Sequence, residues 1–198
     1  MTKLLIATRN KGKVKEIKDI LSDLPFEIVS LDDVGFEGDV EETGNTFQEN
    51  ATIKAETVGK RTKLLTLSDD SGLEVDALEG RPGVQSARYI EGSDSDRVYK
   101  VLEELKNIPV EERTARFVAV VAVYNPLEGK TYTFEGESHG RIIDAPRGSN
   151  GFGYDPIFFN FDLGKTNGEA TNEEKNSVSH RARALIKCKQ LLLMFSKQ

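Results

Sequence analysis

Four short segments of the chain concentrate side chains that could bind a charged ligand and act on it. They are TRNKGK at 8–13, SDDSG at 68–72, GFGYDP at 151–156 and SHRAR at 179–183. Together they supply cations, adjacent carboxylates and aromatic rings beside glycines, which are groups that bind a nucleotide with its magnesium ion. Each segment alone also has a purely structural interpretation, so the prediction of a site depends on their combination.

Positive charge is concentrated where the first predicted helix begins. The four cations there are Arg9, Lys11, Lys13 and Lys15. The free N–H groups at the start of a helix already carry partial positive charge, so further cations cost free energy unless an anion lies among them. Thr8 and Asn10 can bond phosphate oxygens, although the P-loop pattern GxxxxGK[ST] is absent because only Gly12 and Lys13 match it. The segment predicts a phosphate-binding turn of another type; the alternative is a solvated surface helix.

Two adjacent carboxylates, Asp69 and Asp70, stand where an apolar run ends. Proteins of the α/β class tend to place their sites where strands end. One carboxylate could hold a hard cation while the other orients or deprotonates a water; the alternative is an ordinary polar Asp-Ser-Gly turn. The acidic loop before the second helix offers further metal ligands, although such a loop is commonly just solvated. Its carboxylates are Glu37, Asp39, Glu41 and Glu42.

The glycine-rich segment at 148–159 combines aromatic rings with a carboxylate. Phe152 and Tyr154 offer faces on which a base could stack, and Asp155 precedes a proline that restricts its backbone. The alternative is a tight turn whose aromatic side chains belong to the core.

The last predicted helix also begins with cations. Ser177 or Ser179 is the expected N-cap, so His180 and Arg181 fall in the first turn. An arginine there can present two donors to the O6 and N7 atoms of a purine. The alternative is a surface pair without function.

Hydrophobic periodicity predicts alternating strands and helices around these segments. The expected strands cover 3–8, 27–31, 115–125 and 130–143, with two short strand-like runs flanking 69–72. The expected helices run from Val14 to Leu24, after the Thr46 cap, after Ser93 or Asp94, and from Ala182 to Leu193. The pattern predicts one α/β domain, residues 1–198, around a mixed sheet with flanking helices.

Composition excludes several classes of protein. The chain has 198 residues, 37% hydrophobic, and a net charge of −6, which argues against general nucleic-acid binding. No run approaches the ~18 apolar residues of a membrane span, and the start lacks the pattern of a signal peptide. We therefore expect a cytoplasmic protein without a membrane partner. Cys188 is the only cysteine, so no internal disulfide forms, and two histidines with one cysteine argue against structural zinc.

These motifs, together with EETGNTFQENATIKA at 41–55 and EEKN before SHRAR, resemble the non-canonical purine nucleoside triphosphate pyrophosphatase family over nearly the whole chain. The resemblance implies an elongated two-lobed subunit with a cleft between the lobes, a homodimer, and one or more Mg²⁺ ions per subunit. It implies hydrolysis of ITP, dITP and XTP to the monophosphate and pyrophosphate, which removes deaminated purines from the nucleotide pool. Two positions depart from the family pattern: Arg9 replaces a small or polar residue and Ser68 a common alanine.

Site roles follow from the resemblance by matching positions. Asp70 would be the proton acceptor, and Asp70 with Glu41 would hold magnesium, with Glu42 as the alternative ligand and Asp69 as the alternative base. The substrate-binding residues implied are Thr8, Arg9, Asn10, Lys11, Gly12, Lys13, Lys54, Ser71, Phe152, Gly153, Tyr154, Asp155, Lys175, His180 and Arg181. Arg181 or Lys175 would bond the carbonyl at the six-position of the purine.

Two other functions are compatible with parts of the pattern. Maf-like nucleotide pyrophosphatases act on other altered nucleotides, but the SDDSG and SHR matches argue against that family. A nucleotide-sensing or RNA-binding module would hold a ligand without cleaving it. Incubation with ITP and magnesium separates the enzyme from the binding module.

Overall fold

A computed structural model describes residues 2–196 of the chain, leaving residues 1, 197 and 198 of the predicted domain outside the described part. The strands are β1 (Thr2–Ile6), β2 (Phe26–Ser30), β3 (Leu65–Val75), β4 (Thr114–Asn125), β5 (Lys130–Ile142), β6 (Phe158–Asn160) and β7 (Lys165–Thr166). The helices are α1 (Lys11–Ile20), α2 (Phe47–Thr62), α3 (Asp94–Leu105), α4 (Asn172–Val178) and α5 (His180–Phe195).

The strands form one seven-stranded sheet in the order β2-β1-β3-β4-β5-β6-β7. Strand β1 runs parallel to both β2 and β3, whereas β6 runs antiparallel to β5 and β7. The sheet is therefore mixed, with α1, α2 and α3 between its strands in sequence and α4 and α5 after β7, which confirms the predicted α/β class.

The described residues group into two compact units. The first unit comprises 2–70, 119–136 and 181–196, and the second comprises 71–118 and 137–180. The first is built from three separate stretches of chain, so α5, at the end of the sequence, belongs with β1 and α1 from its beginning.

In the first unit, helices cover both faces of the sheet. Leu4 and Ile6 of β1 pack in one apolar cluster with Ile17 of α1 and Leu185 of α5. Leu5, whose side chain points to the other face because strand side chains alternate, packs in a cluster that includes Val58 of α2. Helices α1 and α5 therefore lie on one face and α2 on the other, and this arrangement positions the charged residues described below.

The second unit has its own apolar core. Leu73 and Val75 of β3 contribute to it with Val101 of α3, Phe117 of β4 and Phe158 of β6. Ser93 caps α3 as predicted, since its side chain accepts from Asp96 N–H and the Asp96 carboxylate bonds back to Ser93 N–H.

The two short strand-like runs predicted on either side of 69–72 are one continuous strand, β3, so the alternative of a polar turn at this segment is wrong. Of the eleven residues from Leu65 to Val75, all but Ser71 and Glu74 are buried. Buried backbone groups need hydrogen-bond partners, and a strand inside a sheet supplies them where a buried turn would not. Both carboxylates therefore lie on a strand.

A short helix, α4, was not predicted. Thr171 and Glu174 form a reciprocal capping box at its start, which is a sequence signature of a helix N-terminus. Helix α5 then begins at His180, so His180 and Arg181 lie in its first turn as predicted. Across residues 2–196, none of the helices has the length and apolar composition that crossing a bilayer would require.

Gly59, in the last turn of α2, allows the helix to approach β4. A Cβ atom at this position would collide with the ring of Tyr124. Alanine normally stabilises a helix by about 1 kcal/mol relative to glycine, but we expect Gly59→Ala to lower the free energy of unfolding by about 1–3 kcal/mol because of overpacking. Urea unfolding followed by circular dichroism measures this. The control Thr57→Ala, on a half-exposed position of α2, should stay within about 0.5 kcal/mol, and a more stable Gly59→Ala variant would contradict the packing.

Candidate functional site

Strand β3 presents the two adjacent carboxylates to opposite faces of the sheet. Successive side chains of a strand alternate in direction. Asp69 contacts Lys13 of α1 and Arg181 of α5, whereas Asp70 contacts Lys54 of α2. The helices on each face therefore supply a separate cation for each carboxylate.

Asp69 lies at the centre of a buried ionic cluster. Its Oδ1 is 2.7 Å from Lys13 Nζ, and its Oδ2 accepts a 3.2 Å hydrogen bond from Arg181 Nε. The Arg181 guanidinium also bonds Glu16 through Nη1, and the side chains of Asp69 and Arg181 are 0% and 1% exposed. Such a network is costly to break, because each charge would be left buried without its partner.

Asp70 is in a more open setting on the other face. Lys54 Nζ lies 2.8 Å from Asp70 Oδ1 and 2.8 Å from Glu42 Oε1, so one ammonium group joins both carboxylates. The Asp70 side chain is 11% exposed to solvent and the Glu42 side chain is 25% exposed. Of the two adjacent acids, Asp70 is the one that a solvent molecule can reach.

The two carboxylates have opposite pKa shifts. Burial by itself would raise the pKa of Asp69, but the charges of Arg181 and Lys13 outweigh it and hold that pKa well below its ordinary value. Burial raises the pKa of Asp70, and Lys54 opposes this only in part. The pKa of Lys13 is lowered by burial, whereas the pKa of Lys54 is raised because Asp70 and Glu42 together outweigh its burial.

The start of α1 places Lys13 by a helix cap. Asn10 is the N-cap residue, and its Oδ1 accepts a 3.1 Å hydrogen bond from Lys13 N–H. Thr8 Oγ1 accepts in turn from Asn10 N–H. The first turn of α1 contains no acidic residue, so its partial positive charge is not offset there by a side chain of the helix.

The other predicted phosphate-binding residues of this segment have mixed environments. Lys11 is exposed, Gly12 is half-buried, and Thr8 and Lys11 line a cavity of about 360 Å³ with Lys15 and Lys18. Arg9 lines the same cavity and is also bonded to the acidic loop after β2. Its guanidinium donates to Asp32, Asp39 and the carbonyl groups of Phe36 and Gly38.

Within residues 2–196, no group of three or more carboxylate, imidazole or thiol side chains is arranged so that it could bind a metal ion by itself. Glu42 and Asp70 are the two carboxylates that meet at Lys54. Glu41 is exposed on the same loop. Its role as a metal ligand stays a prediction, as does that of Asp70.

In the second unit, Phe152, Asp155 and Lys175 lie together. Lys175 Nζ is 2.6 Å from Asp155 Oδ2 and 4.8 Å from the centre of the Phe152 ring. Phe152 N–H donates to the same Asp155 oxygen at 2.9 Å. Gly151 has φ +76, and a Cβ there would collide with the Asp155 carboxylate, so the glycine allows the loop to close around Asp155.

The remaining predicted residues of this unit have separate environments. Tyr154 is 4% exposed and its hydroxyl donates to the Ser86 carbonyl, which fits the alternative of a core aromatic. His180 stacks on Phe117 with ring centres 4.8 Å apart. Gly153 N–H donates to Asp94. Ser71 follows Asp70 on β3 and is half-buried.

Sequence reasoning missed Glu16 and Asn167. Glu16 shares Arg181 with Asp69, and Asn167 donates to Asp155 from 12 residues away. Glu16 does carry a local signal, since it is an acid one turn after Lys13 on the buried side of an amphipathic helix. Nothing in the sequence around Asn167 marks it.

Comparisons with known proteins identify relatives over almost the full chain. The model of the Ham1 family matches residues 4–191. A dITP/XTP pyrophosphatase of Geobacter sulfurreducens is 53% identical over 97% of each chain, and one of Bacillus subtilis is 51% identical over 97% of this chain and 98% of its own. The solved structure of a HAM1 protein from Coxiella burnetii is similar with a TM-score of 0.87 and 39% identity, covering 98% of this chain and 100% of its own.

Removal of the buried guanidinium should be costly. In Arg181→Met, Asp69 and Glu16 lose a shared cation, and we expect the free energy of unfolding to fall by about 3–5 kcal/mol. Lys189→Met is the matched control, because Lys189 pairs with the exposed Asp23 and such a pair contributes only about 0–1 kcal/mol. Urea unfolding of both variants measures the difference, and equal small losses would contradict the buried cluster.

Proposed function

The chain belongs to the Ham1 family, and from that premise we propose that it hydrolyses non-canonical purine nucleoside triphosphates to the monophosphate and pyrophosphate. The substrates are dITP, XTP and ITP. The observation that carries the proposal is strand β3, which presents one carboxylate to Lys13 and the next to Lys54. The names of the relatives, dITP/XTP pyrophosphatases, support the same activity.

The two aspartates have different tasks in this proposal. A general base must accept a proton from a water molecule that it contacts. Asp69 is fully buried and both of its oxygens are bonded to cations, whereas Asp70 retains exposure and contacts one lysine. We therefore assign the base to Asp70 and the placement of Lys13 to Asp69.

Lys13 and Lys54 are the groups that would stabilise the leaving pyrophosphate. Cleavage between the α and β phosphates places negative charge on the departing oxygen, and fixed cations lower the free energy of that state. Each lysine is already held by a carboxylate on β3. The lysines are thus oriented before the substrate arrives, which reduces the reorganisation that binding requires.

Magnesium is the cofactor that we propose, one or more ions per subunit. The oxygen donors of Glu42 and Asp70, brought together at Lys54, have the chemistry that Mg²⁺ prefers, and Mg²⁺ commonly binds one or two carboxylates plus substrate phosphates. Glu41, on the same loop, is the other proposed ligand. When bound, the ion would neutralise phosphate charge and acidify a coordinated water.

Purine selectivity is assigned to Lys175 and Asp155. Hypoxanthine and xanthine present a carbonyl acceptor beside an N–H donor, and an ammonium beside a carboxylate is complementary to that order. Adenine presents an amino donor beside an acceptor nitrogen, so both contacts would be lost. Phe152 offers a stacking face nearby. We prefer Lys175 to Arg181 for the carbonyl contact, because Arg181 is bonded to Asp69 and Glu16.

Homodimer formation and a cytoplasmic location complete the proposal. Both are supported by the resemblance to the family rather than by a feature of the described residues. Size-exclusion chromatography with light scattering tests the first, and cell fractionation tests the second.

Hydrolysis is tested directly by pyrophosphate release. With magnesium, we expect release from ITP, dITP and XTP and almost none from ATP, because adenine opposes the Lys175–Asp155 pair. A chain that binds ITP and leaves it intact would be a nucleotide-binding module. Activity confined to other altered nucleotides would favour a Maf-like enzyme instead.

The division of roles between the aspartates is tested by Asp70→Asn and Asp69→Asn. Loss of a general base should lower kcat of Asp70→Asn by about 10²–10⁴-fold, with a much smaller rise of KM because asparagine keeps one oxygen donor for a metal ion. Asp69→Asn should instead raise KM and lower Tm, because Lys13 and Arg181 lose their shared partner. Steady-state kinetics and thermal unfolding separate the two. A folded Asp69→Asn variant with normal KM and collapsed kcat would reverse the assignment.

A further inference from the structure

We propose that Asn167 is a positioning residue for purine selectivity, because its buried amide holds the Asp155 carboxylate in the place from which that carboxylate holds Lys175. The inference rests on the proposed function and deepens it. It assigns a role to Asn167, which bonds the Asp155 oxygen that does not contact Lys175.

The Asp155 carboxylate is held by three donors from three places in the chain. Asn167 Nδ2 donates to Oδ1 at 3.1 Å, and Lys175 Nζ and Phe152 N–H donate to Oδ2 at 2.6 and 2.9 Å. Asp155 and Asn167 are each 2% exposed and Lys175 is 3% exposed. Asn167 is the donor to the oxygen that Lys175 leaves unoccupied, so it fixes the rotation of the carboxylate.

The Asn167 amide is oriented by a second buried amide behind it. Asn160 Nδ2 donates to Asn167 Oδ1 at 3.0 Å and to Ser138 Oγ at 3.1 Å. Asn160 is 0% exposed and Ser138 is 1% exposed. Because Asn160 offers a donor on one side and the Asp155 carboxylate is an acceptor on the other, only one orientation of the Asn167 amide satisfies both.

The backbone around Asn167 is also fixed. Asn167 directly follows β7, and its N–H donates to the Phe158 carbonyl at 3.1 Å, beside the start of β6. Asp155 begins a one-turn 3₁₀ helix at Asp155–Ile157, and Lys175 belongs to α4. The Asn167 side chain therefore links the end of β7 to the Asp155 loop and, through Asp155, to Lys175 on α4.

Removal of the Asn167 amide should lower purine selectivity by more than a general loss of stability would. Without it, Asp155 Oδ1 loses a hydrogen bond to a charged group, and the carboxylate can rotate about its remaining donors. Lys175 is bonded to that carboxylate, so its ammonium would shift with it relative to the Phe152 ring. The Lys175 donor and the Asp155 acceptor would then have less fixed positions relative to the purine. The enzyme would therefore discriminate less strongly against adenine.

The experiment compares Asn167→Leu and the smaller Asn167→Ser with Val101→Ala, a control in the buried core of the same unit. For each variant, kcat/KM is measured with ITP and with ATP, binding of IMP and AMP is measured by calorimetry, and Tm is recorded. We expect both Asn167 variants to lower the ITP/ATP ratio by about tenfold, the effect of one charge-assisted hydrogen bond. Val101→Ala should lower Tm and leave that ratio unchanged.

The outcomes separate the inference from the proposed function. A folded Asn167 variant with the wild-type ITP/ATP and IMP/AMP ratios would overturn the inference, and so would an equal fall of the ratio in Val101→Ala. If Asn167→Leu does not fold, Asn167→Ser decides alone. Wild-type protein that releases no pyrophosphate from ITP would overturn the proposed function, and the IMP/AMP binding ratio would still test the role of Asn167.

Discussion

The alternation of side chains along β3 is the constraint on which the charged site depends. The two adjacent aspartates point to opposite faces of the sheet and bond different cations, although the charge of Lys13 also acts on Asp70. Each face must supply its own cation, and the fold does so with α1 and α5 on one side and α2 on the other. The two aspartates therefore differ in solvent exposure, since Asp69 is buried beside Arg181 whereas Asp70 is partly exposed beside Lys54.

The ionic cluster around β3 contains more carboxylates than cations. Its members are Glu16, Glu42, Asp69, Asp70, Lys13, Lys54 and Arg181. Four carboxylates thus face three cations, and the lysines are already engaged by aspartates. In the proposed function, a triphosphate would add several more negative charges, and a divalent ion bound with it would supply positive charge that offsets them.

Local sequence patterns predicted most of the regular elements. Apolar periodicity located β1, α1 and α5, and the caps at Thr46 and Ser93 marked the beginnings of α2 and α3. The pattern failed at β3, where an Asp-Ser-Gly composition typical of turns lies within a buried strand. There, the need to pair backbone groups inside the sheet outweighs local turn preference. The helix α4 was missed although its capping box was visible in the sequence.

Side-chain partners were much less predictable than elements. The types of residue at the site could be predicted from the sequence. The bond between Arg181 and Asp69 could not, because the two residues are 112 positions apart and no local pattern encodes such a pairing. The bonds from Arg9 to Asp32 and Asp39 were not predicted either, and its role at phosphate stays a prediction. Since the first unit is assembled from three stretches of chain, the stretch that carries Arg181 is synthesised after the one that carries both aspartates of β3. A nascent chain that ends before α5 contains Asp69 without the guanidinium that it bonds, so the ionic cluster is completed only after α5 has been synthesised.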